Sequence, residues 1–198
     1  MGKAEILSNL NAIQAEIQKN AKDPSCPPQR LPVTTFQPVE SIEALKEAGI
    51  TQIGENRVQE LMEKHVALGG DFSFHLIGRL QPNKIKYILG KVCMVQSLDR
   101  PALAQALDMR AQSAGIRLPV LIEVNIGGEA QKAGIEPEEI EAFAREVAQM
   151  GGLSLRGLMA MMPMAGDTEM LRPMFRKMRG EFEMLRDLAI AGTQIDTL

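Results

Sequence analysis

Two rhythms of apolar residues alternate along this chain. In residues 3–20, Ile6, Leu10, Ile13 and Ile17 form one stripe with Glu, Gln and Lys between them, the spacing of an amphipathic helix. Pro24, Pro27 and Pro28 end that helix. Beyond it, short apolar runs predict strands near 31–35, 51–54, 73–78, 92–97, 118–125 and 154–160. Helical spacing between the runs predicts helices near 39–48, 57–67, 82–90, 100–114, 136–150 and 168–190. Val120-Leu121-Ile122-Glu123-Val124, opened by Pro119, has the continuous apolar character of a strand buried on both faces. Ile140, Phe143 and Val147 make a helical stripe among glutamates, with Pro137 in the first turn where its missing N–H costs nothing. Gly115 and Gly151-Gly152 stand where helices should stop.

Six strand–helix units in series imply parallel strands joined by right-handed crossovers. An open doubly wound sheet and a (β/α)8 barrel both satisfy this. The even spacing, and the lack of a Gly-x-Gly-x-x-Gly turn after the first strand, favour the barrel. A barrel needs eight strands, typically in about 250 residues. Gln194-Ile195-Asp196-Thr197-Leu198 reads as the opening of a seventh. The expectation is therefore a single α/β domain over 1–198, a (β/α)8 TIM barrel incomplete at its C-terminus, with strands 7–8 lacking and helix 3–20 preceding strand 1. Either the gene continues beyond Leu198, or the chain is a remnant that covers its open edge in another way.

Composition narrows the classes. The 198 residues are 45% hydrophobic and 24% charged, enough for a sizeable core. With 13 Met, one Tyr and no Trp, that core is mostly aliphatic, with thioethers as filler. A net charge of −3 gives no general pull toward nucleic acid or anionic membrane. Cys26 and Cys93 form no ligand-type cluster and suit a reducing compartment. No apolar run reaches the roughly 20 residues that a membrane span needs. A cytoplasmic protein is expected.

In a barrel, functional residues stand at the C-terminal strand ends. Here those ends offer Thr34-Thr35, Glu55-Asn56, His75 through Gly78, Ser97 and Asp99, Asn125, and Met159 through Met161. They contain no close acid pair of the glycosidase kind and no His-x-His or His/Asp metal cluster. His65, on a helix, and His75, in a strand, do not suggest a shared metal.

The ordered motifs Gly54-Glu55-Asn56-Arg57-Val58-Gln59-Glu60, Phe74-His75-Leu76-Ile77-Gly78-Arg79-Leu80-Gln81-Pro82-Asn83-Lys84, Ser97-Leu98-Asp99-Arg100, Val124-Asn125-Ile126, Lys132-Ala133-Gly134-Ile135, Arg156-Gly157-Leu158-Met159 and Ile195-Asp196-Thr197-Leu198 span nearly the whole chain. Together they resemble the pyridoxal 5′-phosphate (PLP) homeostasis protein family, itself similar to the N-terminal barrel domain of alanine racemase. The resemblance implies a barrel that holds PLP at its strand C-terminal face and buffers or delivers the cofactor without catalytic turnover. It further implies a lysine ending strand 1 that binds PLP covalently, and phosphate ligands after strands 7 and 8. This sequence has Val33-Thr34-Thr35 at the first place, and a threonine hydroxyl cannot form an imine.

The cofactor-binding positions implied are Thr35, Asn56, His75, Asn125 and Met159. Asn56 could face the cofactor or cap the following helix. His75 could lie near the cofactor or be a satisfied core residue. Gln81-Pro82-Asn83-Lys84 could be a functional loop or simply open a helix. Lys84 is the nearest candidate for a replacement amine. The run Met159 through Met164 reads as core and loop filler, and Met170, Met174 and Met178 as a helix stripe. Three functions remain open. They are a PLP carrier serving PLP-dependent apo-enzymes, a cofactor-free regulatory protein on a degenerate barrel, and a racemase-like enzyme. The last is disfavoured because Tyr87 falls in a predicted helix and the lysine is gone. A monomer or weak dimer is expected.

Overall fold

Apolar runs become strands here only where a neighbour can complete the ladder. A computed structural model describes residues 2–23, 25, 27–128, 133–164 and 168–198. Pro24, Cys26 and Lys132, used above, lie outside the described residues. Contacts group the chain into two compact units, Met1–His75 and Leu76–Leu198.

The first unit contains α1 (Lys3–Asn20), α2 (Val39–Glu47), β1 (Gln52–Glu55), α3 (Val58–Leu68) and most of β2 (Ser73–Leu76). β1 and β2 are neighbours. Its core holds Ile42, Leu45, Ile53, Leu61 and Phe74. α1 packs on α2, with Lys3 ion-paired to Glu47. Of its predicted stripe only Leu10 is buried, and Ile13 is 51% exposed. Ile6, Leu10 and Ile13 instead border a cavity of about 480 Å³ shared with Val33, Ile42 and Leu45.

The strand expected over 31–35 is reduced to one parallel bridge, Val33 to Gly54. Thr34 N–H donates to Gly54 O and Gly54 N–H to Pro32 O. Pro32 has no N–H to extend a ladder. Gln37 N–H already turns back to Thr34 O at 2.9 Å. Phe36 lies in the left-handed region at φ 63°, which ends any extended run.

The second unit contains α4 (Ile85–Ile88), β3 (Val92–Leu98), α5 (Pro101–Ser113), β4 (Leu118–Glu123), α6 (Ile140–Ala148), β5 (Leu153–Met159) and α7 (Arg172–Asp187). β3, β4 and β5 are parallel and adjacent in chain order. Val95, Leu98, Val120, Ile122 and Leu158 of the strands are buried, as are the stripes of α5 (Leu103, Leu107) and α6 (Ile140, Phe143, Ala144, Val147). Each such aliphatic side chain contributes about 1.5–3 kcal/mol on burial. The helix expected over 82–90 is shorter. Pro82–Lys84 form a 3₁₀ turn before α4, and an extended Leu89 followed by Gly90 at φ 73° stops it. Met159 is half-buried and Met178 is buried, but Met161, Met164 and Met170 are exposed, so most of the methionine run is loop surface. The seventh strand is also only a bridge, Gly157 to Thr197, flanked by Asp196 N–H to Arg156 O and Gln194 N–H to Leu155 O. Among the described residues no helix is long and apolar enough to cross a membrane.

Candidate functional site

In the first unit the end of the 31–35 run meets the end of β1 and the inner face of α3. Glu55 is fully buried at the last position of β1. Its carboxylate accepts from Thr34 Oγ1 at 2.6 Å and Thr35 Oγ1 at 3.0 Å. Two turns into α3, the side chain of Lys64 is 6% exposed. Its Nζ donates to Glu55 Oε1 (2.6 Å), Glu60 Oε1 (2.7 Å) and Thr34 O (2.5 Å). An ammonium has three protons, and all three are engaged. Burying this charge is tolerable only because two carboxylates and a carbonyl surround it. Burial raises the Glu60 carboxyl, but Lys64, the Phe36 N–H and Arg57 outweigh that and leave it below its usual value.

Thr35 is equally committed. Its hydroxyl donates to Glu55 and accepts from both the backbone N–H and the side-chain amide of Asn56, at 3.1 and 3.0 Å. Asn56 therefore secures Thr35 and does not cap α3, whose N-cap residue is Arg57 and which has no side-chain cap. His75, near the end of β2, is buried, and burial lowers its pKa, favouring the neutral ring. His65 is half-buried on α3 with its ring 5.7 Å from that of Phe74.

In the second unit, Ser97 Oγ donates to Gly78 O at 2.7 Å. Asp99 is buried beside Arg100, which ion-pairs with it and also donates to Leu80 O. Arg79 lies 3.4 Å from the other Asp99 oxygen. Burial, with Asp99 adding to it and Arg79 offsetting it, pushes Glu123 at the end of β4 up to about 7. Asn125 N–H donates to Ile135 O and its side-chain amide to Glu136 Oε1 at 3.2 Å. A Cβ on Gly134 would come within 2.6 Å of Asn125 N, so a glycine is required there. Met159 O accepts from Val124 N–H. Lys84 stands 5.7 Å from the Tyr87 ring. The Pro82–Lys84 segment opens a helix, as one of its two readings held. No group of three or more metal-ligating side chains occurs among the described residues.

The structure thus joins Thr35 and Asn56 in the first unit and anchors Asn125 and Met159 to the strand ends of the second. Sequence reasoning missed Lys64, Glu60 and Glu123. The available signal for the first two was their i, i+4 spacing in the segment after β1.

The alanine racemase N-terminal domain family matches residues 36–197. The pyridoxal phosphate homeostasis protein of Aquifex aeolicus is 39% identical over 181 residues, covering 90% of this chain and 79% of its own length. That of Pasteurella multocida is 37% identical over 199 residues, covering 98% and 85%. This chain belongs to the pyridoxal phosphate homeostasis protein family. Among solved structures, PipY of Synechococcus elongatus without PLP superposes with a TM-score of 0.83 at 26% identity, over 96% of this chain and 86% of that one. PipY with PLP bound gives 0.80 at 25%, over 96% and 85%. Alanine racemase of Clostridium difficile, at 15% identity and TM-score 0.76 over 96% and 52%, shares the fold. The fold is the alanine-racemase-like barrel type. For a member of this family, the residues around position 35 do not fit covalent attachment of PLP. Thr35 has no amine, and the nearby Lys64 is buried and held by Glu55, Glu60 and Thr34 O, so it presents no free amine to an aldehyde.

Proposed function

We propose that this protein binds PLP non-covalently and buffers it or delivers it to PLP-dependent apo-enzymes in the cytoplasm, without turning over a substrate. Membership in the homeostasis family supports the ligand, as does the solved PipY structure with PLP bound. The observation that carries the non-covalent reading is the closed set of bonds joining Thr35, Glu55, Asn56 and Lys64. Thr35, Asn56, His75, Asn125 and Met159 are the proposed ligand-facing positions.

Titration with PLP, followed by absorbance and then by borohydride reduction and mass spectrometry, tests this. Saturable binding with no mass retained after reduction and denaturation is expected. A retained adduct would overturn the non-covalent reading. Absence of saturable binding would overturn the ligand and leave a cofactor-free regulatory protein on the same barrel.

A further inference from the structure

Phe36 is the most unusual residue of the first unit. It is 75% exposed, yet it adopts φ 63°. A bulky side chain rarely takes this conformation, and such strain persists where surrounding bonds enforce it, often at ligand clamps. Here the enforcing bonds are visible. The Phe36 N–H donates to Glu60 Oε1 at 2.5 Å, and Glu60 is held by the buried Lys64. The backbone that carries the ring is thus held, and the ring is presented to solvent beside Thr35. Arg57 lies against it, with its guanidinium carbon 5.2 Å from the ring centroid. Among the described residues that guanidinium makes no hydrogen bond or ion pair. Arg57 is also the N-cap residue of α3, which lacks a side-chain cap, so the positive end of the helix adds to its field. The two side chains border an open cavity of about 550 Å³ whose other charged lining residues are Glu60, Glu63 and Lys64.

An exposed aromatic ring beside a guanidinium that makes no hydrogen bond or ion pair among the described residues, and acts on Glu60 only through its field, suits an aromatic phosphate, the open ring face stacking and the phosphate taking the charge. Resting on the PLP-binding reading above, we infer that Phe36 and Arg57 form a stacking subsite for phosphorylated pyridines, and that this subsite replaces covalent capture. Lys64, which also lines the cavity, is taken up by Glu55, Glu60 and Thr34 O, so it is not free to read the aldehyde. The subsite therefore accepts the alcohol form, pyridoxine 5′-phosphate, as well as PLP. Glu60 and Glu63 both line the cavity and oppose the phosphate, and Glu63 is held only by Gln59.

Calorimetric titration with PLP, pyridoxine 5′-phosphate and unphosphorylated pyridoxine tests the inference. The two phosphates should bind within about threefold of each other, and pyridoxine far more weakly. Phe36→Gly removes the ring while suiting the positive φ, so its melt should match or exceed wild type while its affinity falls about tenfold. Phe36→Tyr should retain binding. Arg57→Ala should lose about tenfold for the phosphates only, and Glu63→Gln should bind them more tightly. Wild-type affinity in both Phe36→Gly and Arg57→Ala would overturn the subsite while leaving PLP binding intact. A strong preference for PLP over pyridoxine 5′-phosphate would overturn the indifference to the aldehyde. No binding of any phosphate by wild type would overturn both readings.

Discussion

A hydroxyl at position 35 turns an attachment point into a strut. Thr35 bonds to Glu55 and Asn56 and holds the end of the first extended run against β1. Thr35→Lys would give this strand end a primary amine, on a longer side chain that reaches beyond the place of the hydroxyl. That variant should yield a borohydride-stable PLP adduct mapped to residue 35 by peptide mass spectrometry, whereas wild type yields none. An unmodified Lys at 35 under saturating PLP would refute this. Lys64 is the complementary case. Lys64→Met leaves the fully buried Glu55 without its counter-charge and should cost about 3–5 kcal/mol in urea unfolding. Adding Glu55→Gln should recover much of the loss, and a single variant of wild-type stability would show that the ion pair is dispensable. Positions 35 and 56 were legible because they close recognisable strand-end motifs. Lys64 was not, because Glu60 and Lys64 at i, i+4 look like any solvated helix pair. Only the packing of α3 on β1 shows that this pair faces inward.

At the scale of elements, what was legible depended on how local the cause was. α5 and α6 follow from their own apolar spacing and from stops at Gly115 and Gly151-Gly152, and both form close to where the spacing puts them. β4 follows from an apolar run buried throughout. The two failures, 31–35 and 194–197, have suitable composition but pair as single bridges. A strand needs a partner along its length, and that partner is not written in the segment itself. Gly157 shows how closely the second of these segments approaches. Its φ is 146°, and an added Cβ would stand 1.9 Å from Thr197 O. Gly157→Ala should release residues 194–197 from β5 at a cost of about 1–3 kcal/mol. Hydrogen exchange should then accelerate at Asp196 and Thr197 with little change at Val120 and Ile122. Unchanged protection at Asp196 would contradict the close approach.

Across the whole molecule, two buried groups among the described residues, Glu123 and His75, shift their proton affinity on folding, and they act in opposite directions on stability. Glu123 rises from 4.5 to about 7 because burial, then Asp99, disfavours its charge. Its contribution is complete below about pH 4.5 and is lost as pH rises through about 7, when the folded state must give up the proton. The full difference is on the order of 3 kcal/mol. His75 is lowered from 6.5 by burial, so its contribution is present above that value and is lost as pH falls below it. Between about pH 5 and 7 the two slopes oppose each other, so the urea midpoint of wild type should fall less steeply with rising pH than that of His75→Gln. Glu123→Gln should expose the His75 slope, with stability rising as pH increases. His75→Gln should expose the Glu123 slope, with stability falling over the same window. Below about pH 4.5 every form should weaken, because Glu60 and Asp196, both held below their usual values, then take up protons more readily on unfolding. Parallel pH profiles for wild type and Glu123→Gln would show that Glu123 does not titrate differently in the folded state. The depression of His75 would then account for the slope in both.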